Sequence, residues 1–242
     1  MIFAWSAVYM SLSEEQTGVA KNEHLTYYKQ ARLYLGDIID TFPVGLDLIS
    51  CLVLVSLYLL MTHKPYRCVM TSCPWRSNVS RCANMLGITI RMAQGIGLHA
   101  AHEEGDLTQY DKERRRRIWY CLYIMDRLVA LQLGGAVMIR DSDFSVDLPS
   151  EPVQFDQVSN LAPSDVSYLR HMVGLSKIIG DVIDHLYRSG QAVIRLEQLL
   201  ETIHLLDNQV LAWRDQLPLH LRFDHAHPFE ANAIFKRQVY TS

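Results

Sequence analysis

The sequence predicts an all-α protein, an irregular multi-helix bundle with one long acidic, proline-containing loop. Three observations lead there. Apolar residues recur at spacings of three and four through nearly every segment. Proline or glycine closes most of these periodic stretches. No convincing strand, internal repeat or low-complexity tract interrupts the pattern.

Leu25, Tyr28, Leu35, Ile38 and Phe42 mark the first helix, closed by Pro43. Leu46 to Met61 is a second helix, apolar on all sides and so expected at the centre. Lys64 to Pro74 reads as a loop with two prolines. A third helix runs from near Trp75 to Ile96. Thr108 followed by Asp111 fits the capping pattern S/T-x-x-D/E, so a fourth helix opens there. It extends to about Leu133 and stops at Gly134-Gly135. Gly134 to Pro163 is the long loop, with Asp141, Asp143, Asp147, Pro149, Pro152 and Pro163. A fifth helix starts near Ser164, with Leu169, Met172, Ile179, Ile183 and Leu186 on one face, and Ser189-Gly190 breaks it. The sixth carries Val193, Leu196, Leu200, Ile203, Val210 and Trp213 and ends at Pro218. Residues from Pro228 read as the start of another helix.

Composition narrows the class. The 242 residues are 49% apolar and 20% charged, enough for a sizeable core. A net charge of -3 argues against a nucleic-acid-binding surface on this domain. The five cysteines, Cys51, Cys68, Cys73, Cys82 and Cys121, include no C-x-x-C pair, which suits reduced thiols in a nuclear or cytosolic protein. The apolar start has no basic residue before Lys21, unlike a secretory signal. The longest apolar run contains Asp47 and falls short of the ~20 residues that a membrane span needs. No membrane partner is expected.

One stretch imitates a nucleotide site. Gly95 to Ala100 matches G-x-G-x-x-[G/A], the turn that holds a dinucleotide pyrophosphate. Such a turn must open a helix, because the pyrophosphate sits on free helix-terminal N–H groups. Ala101 to Asp106 is polar, charged and broken by Gly105. About 20 residues on, where an acid should meet the ribose, stand Arg114 to Arg117 instead. The preceding residues have helical period. The glycines therefore end a helix, with Gly97 in the left-handed position and Leu98 folding back as the apolar partner of the cap.

Other motifs weigh less. His99 and His102 with Glu103, and Cys68, Cys73 and Cys82 with His63, lack metal-ligand spacing. Asp141 and Asp143 lie in an irregular loop without the oxygen density of a calcium site. No nucleophile–base pair or phosphate loop occurs, so no enzyme and no cofactor are expected.

Asp111 to Arg127 is the most informative stretch. Arg114 to Arg117 match a short nuclear signal or phosphate patch. Five acids nearby (Glu103, Glu104, Asp106, Asp111 and Glu113) balance Lys112 and the four arginines. A solvated, locally paired helix face is the expectation. Past Arg117 the helix is mostly apolar except at Asp126 and Arg127. Neighbouring side chains point about 100° apart, so these two are not expected to pair with each other. A buried tie between elements is the expectation, with Arg91 the candidate partner of Asp126, and Asp141 or Asp143 that of Arg127.

Together these segments resemble the fungal-specific transcription factor domain. "RMAQGIGLH", with Arg91 and Gly97, is similar to that family's helix end. "ERRRRIWYCLYIMDR", with Arg116, Trp119, Asp126 and Arg127, resembles its E-x-x-R-R-x-W-W-x-L-Y-x-L-D-R helix. "LGGAVMIRDSDFSVDLP", with Asp141, Asp143 and Pro149, resembles the loop that follows, and "LAWRDQLP" a later W-x-x-x-L-P segment. The likeness runs from about residue 1 to 221 and is specific between Arg91 and Ser150. Gly134-Gly135-Ala136 departs from the family's Gly-Arg-Pro.

The resemblance implies a regulatory domain of a nuclear transcription regulator. Zinc and DNA would belong to a six-cysteine cluster, which these residues do not contain. Residues 1–242 read as one such domain, truncated at both ends. A second copy of the chain or transcriptional co-regulators are the expected partners. A small-molecule-sensing or partner-binding helical domain without DNA binding is the alternative reading.

Overall fold

The computed structural model describes residues 23–41, 43–61, 74–101, 107–150, 163–187, 196–218 and 221–222. Six α-helices account for most of them: α1 Glu23–Thr41, α2 Leu46–Met61, α3 Pro74–Gly95, α4 Gln109–Leu133, α5 Pro163–Val182 and α6 Leu196–Asp215. There is no strand among the described residues. A 3-10 turn spans Asp141–Asp143, and a π turn, Ile183–Tyr187, ends α5. The all-α expectation therefore holds. The Ser189-Gly190 break, the segment from Pro228 and His63, Cys68, Cys73, His102 and Glu103 lie outside the described residues.

The chain divides into two compact units. One runs up to Leu133 and adds Met138–Asp147; the other comprises Gly134–Val137 and the residues from Leu148 onward.

In the first unit α2, α3 and α4 pack against one another. Ile49 and Leu52 of α2, Leu86 of α3 and Leu122 and Tyr123 of α4 are completely buried. Ser56 and Cys82 are small enough to bring α2 and α3 close, and the Cys82 thiol donates to the Ser56 carbonyl at 3.2 Å. Burial pushes the Cys82 thiol up to about 12, so it behaves as a small core residue. α1 leans on α2 through Tyr28, whose ring stacks on Tyr58 at 4.5 Å.

The end of α3 settles the glycine motif. Gly97 has φ 71°, in the left-handed region. Its N–H donates to Gln94, and the Leu98 N–H reaches back to Ala93, both at 3.0 Å. These two bonds form a Schellman cap, and Leu98 is buried as its apolar partner. The glycines thus satisfy helix carbonyls at a C-terminus. A pyrophosphate needs the opposite end of a helix. At the start of α4, the Asp111 N–H donates to Thr108 Oγ1 at 3.2 Å, and that hydroxyl donates to the Asp111 carboxylate at 2.6 Å. Gly134, φ 66°, follows the last residue of α4.

In the second unit α5 packs on α6. The Trp213 Nε1–H donates to the His171 carbonyl at 2.8 Å, and the indole lies 3.4 Å from where a Gly174 Cβ would stand. Leu206 is the buried residue of α6. This corrects the face expected for the sixth helix: Leu196, Leu200, Ile203 and Val210 are exposed. Of the expected residues Trp213 is turned to α5, beside the buried Leu206 that the sequence reading leaves out; Val193 lies outside the described residues.

Candidate functional site

Five of the residues singled out in the sequence, Arg116, Trp119, Asp126, Arg127 and Asp141, meet at the segment Met138–Asp147, which lies along α4 like a strap; Arg91, Gly97, Asp143 and Pro149 do not join them. It is held by contacts of four kinds.

A buried carboxylate makes the first. Asp126 is 1% exposed. Its Oδ2 accepts the Met138 N–H at 2.8 Å and the Ile139 N–H at 2.9 Å. Burial raises the Asp126 carboxyl above its usual value, against the lowering effect of the two amides and of Arg127. Arg91, the expected partner, is exposed and donates to Gln94 of its own helix at 3.3 Å. The tie is made by backbone amides instead. Every residue but proline carries a backbone N–H, so residue type could not point to these two.

The second contact is a cation. Arg127, 2% exposed, donates from Nη2 to Asp141 at 2.6 Å, as expected. Asp143 takes no part: it is exposed and accepts from the Ser142 hydroxyl. The Arg127 guanidinium lies 3.4 Å above the Tyr123 ring centroid, a cation–π contact with the residue one turn earlier. In this posture Nη1 comes within 3.8 Å of Asp126 Oδ2. Asp126 and Arg127 thus form an ion pair without a hydrogen bond. The directions of their Cβ atoms had argued against any pairing, but a long side chain folded back over its own helix closes that angle.

Aromatic residues supply the third. The Tyr123 hydroxyl donates to the same Asp141 oxygen at 2.7 Å, and the Tyr120 hydroxyl donates to the Val146 carbonyl at 2.8 Å. Burial raises both phenols, so they remain neutral donors. Phe144 sits among three rings of α4, with centroids 5.7 Å from Trp119, 6.1 Å from Tyr120 and 5.5 Å from Tyr123, all edge-on. Sequence reasoning does not single out Tyr120, Tyr123 or Phe144. The available signal was the alternation of polar residues with Phe144 and Val146 from Asp143 to Asp147, beside a helix rich in aromatic residues.

At the strap's far end come backbone and surface contacts. The Ser145 N–H donates to the His99 carbonyl at 3.1 Å, and the Ala101 N–H donates to Ser145 Oγ at 3.3 Å. Arg116 pairs with Asp147 at 3.2 Å. Beyond the strap, Pro149 is buried, and its carbonyl accepts from Arg170 at 3.3 Å.

The arginine run is spent on similar contacts. Arg114 pairs with Asp47 of α2, and Arg115 donates to the Ile96 carbonyl at 3.0 Å. Arg117 pairs with Glu113 at 2.8 Å. This last is the local helix-face pairing expected. Glu103, Glu104 and Asp106 lie outside the described residues. The other three arginines reach different elements of the fold.

The described cysteines do not fit a zinc cluster. Cys51, Cys82 and Cys121 lie on three different helices, and no metal-holding group forms among the described residues. No described helix is long and apolar enough to cross a membrane.

These features define an all-α domain whose best-formed site is structural. The fungal specific transcription factor domain matches residues 1–215, and the chain belongs to that family. It is a regulatory domain of a fungal transcription regulator. Its relatives include the ABC-transporter-regulating transcription factor of Aspergillus fumigatus, 29% identical over 145 residues, which cover 58% of this chain and 16% of that protein. The regulatory protein CAT8 of Saccharomyces cerevisiae is 26% identical over 162 residues, 58% of this chain and 11% of that one. The transcriptional activator protein acu-15 of Neurospora crassa is 24% identical over 159 residues, 63% and 17% respectively. The chain spans less than a fifth of each of these relatives. No solved structure matches it.

Proposed function

We propose that this domain is the non-enzymatic regulatory part of a nuclear transcription regulator, and that DNA is contacted through a separate zinc-binding module. The observation that carries this reading is the arginine run. Phosphate recognition needs cations free to face the duplex. Arg114, Arg115, Arg116 and Arg117 each already have a partner within the chain. The net charge of -3 supports the same view. Relatives named as transcription factors and activators support the nuclear setting and a regulatory, not catalytic, role. Its partners are then proteins, either a second copy of the chain or transcriptional co-regulators. A gel shift against a pool of randomised duplexes at moderate salt tests the reading. The expected result is no enriched sequence. Selection of a defined site bound at nanomolar affinity would overturn it.

A further inference from the structure

α6 has two apolar faces, and the fold uses one. Leu206 is buried, and Trp213 is bonded to α5. On the adjoining face Leu196, Leu200, Ile203, Val210 and Leu211 form a stripe along the helix, all exposed, Leu196 at 71%. Their spacing of four, three, seven and one places them on one side of the helix. Large apolar side chains exposed along one side of a helix mark an interaction site.

Charge selects the occupant. Glu197 and Glu201 flank the stripe, and Asp207 stands within it, all three exposed. The one arginine of α6, Arg214, is paired with Asp215 at 3.3 Å. A second copy would bring acids against acids, a repulsive arrangement. We propose that this stripe docks one amphipathic helix of another protein, whose apolar i, i+3, i+4 face is flanked by lysines and arginines. The apolar stripe supplies affinity; the acids steer and select. The docking depends on this surface alone and stands apart from the DNA reading above.

The probe is a synthetic amphipathic helix with leucine on one face and lysine at its flanks. A control peptide carries glutamate in place of lysine. Fluorescence anisotropy with the full chain measures both. The lysine peptide is expected to bind at least about tenfold tighter than the control. The exposed double variant Leu200→Gln/Ile203→Gln, and separately Glu197→Lys/Glu201→Lys, should each weaken it by about tenfold or more while leaving the helical circular dichroism unchanged. No binding, equal binding of the two peptides, or binding indifferent to both double variants would overturn the proposal. Light scattering adds a last outcome. A dimer of the parent chain that Leu200→Gln/Ile203→Gln dissociates would assign the stripe to a second copy and also overturn it.

Discussion

Replacing Asp126 by alanine removes the centre of the strap. The carboxylate accepts two backbone N–H groups through one oxygen, from Met138 and Ile139. Ile139 is completely buried, so its amide cannot turn to water. A buried donor left without a partner costs about 1–3 kcal/mol. Arg127 loses a nearby charge but keeps Asp141 at 2.6 Å, so little is added on that account. The expected loss is about 3 kcal/mol, the lower end of what breaking a buried ion pair costs. Asp126→Asn separates acceptor from charge. Its Oδ1 can take the place of the bonded carboxylate oxygen and hold both amides. Burial already disfavours the charged form, since the folded carboxyl lies above its ordinary value. The asparagine variant is therefore expected within about 1 kcal/mol of the parent at neutral pH. The sign of the pH effect follows. A raised acid holds its proton more tightly in the folded chain. Its contribution is full below the ordinary value of 3.8 and declines as pH rises towards the raised value. The stability difference, parent minus Asp126→Asn, should accordingly shrink from pH 4 upward. Urea melts of the three proteins between pH 4 and 7 give these numbers. An alanine variant that melts with the parent, or an asparagine variant as damaged as alanine, would refute the reasoning.

Two more substitutions test the surroundings. Tyr123→Phe removes the hydroxyl that donates to Asp141 but leaves the ring beneath Arg127, and it should cost about 1 kcal/mol in a urea melt while the strap resists limited proteolysis. Gly97→Ala forces a side chain into the left-handed position that caps α3, and a loss of about 1–2 kcal/mol in thermal unfolding is expected; no loss would mean that the cap relaxes freely.

Much of this protein is decided locally. Leu46 to Met61 is helical because its apolar run is long, regular and free of proline, and the structure begins and ends α2 at those residues. The opening of α4 is written in Thr108 and Asp111, and the end of α3 in Gly97 and Leu98, because caps are made by side chains and dihedral preferences within a few residues. The family motif is equally legible, since it consists of residue types in order. Tertiary structure decided the partners. Asp126 chose amides over Arg91, and three of the four arginines left their own helix for Asp47, the Ile96 carbonyl and Asp147. Which stripe of α6 meets α5 was decided at the same level. Periodicity can reveal that a helix has an apolar face. Only the packed neighbour determines which face is buried, because burial is a property of two surfaces and the sequence of one helix describes only one of them.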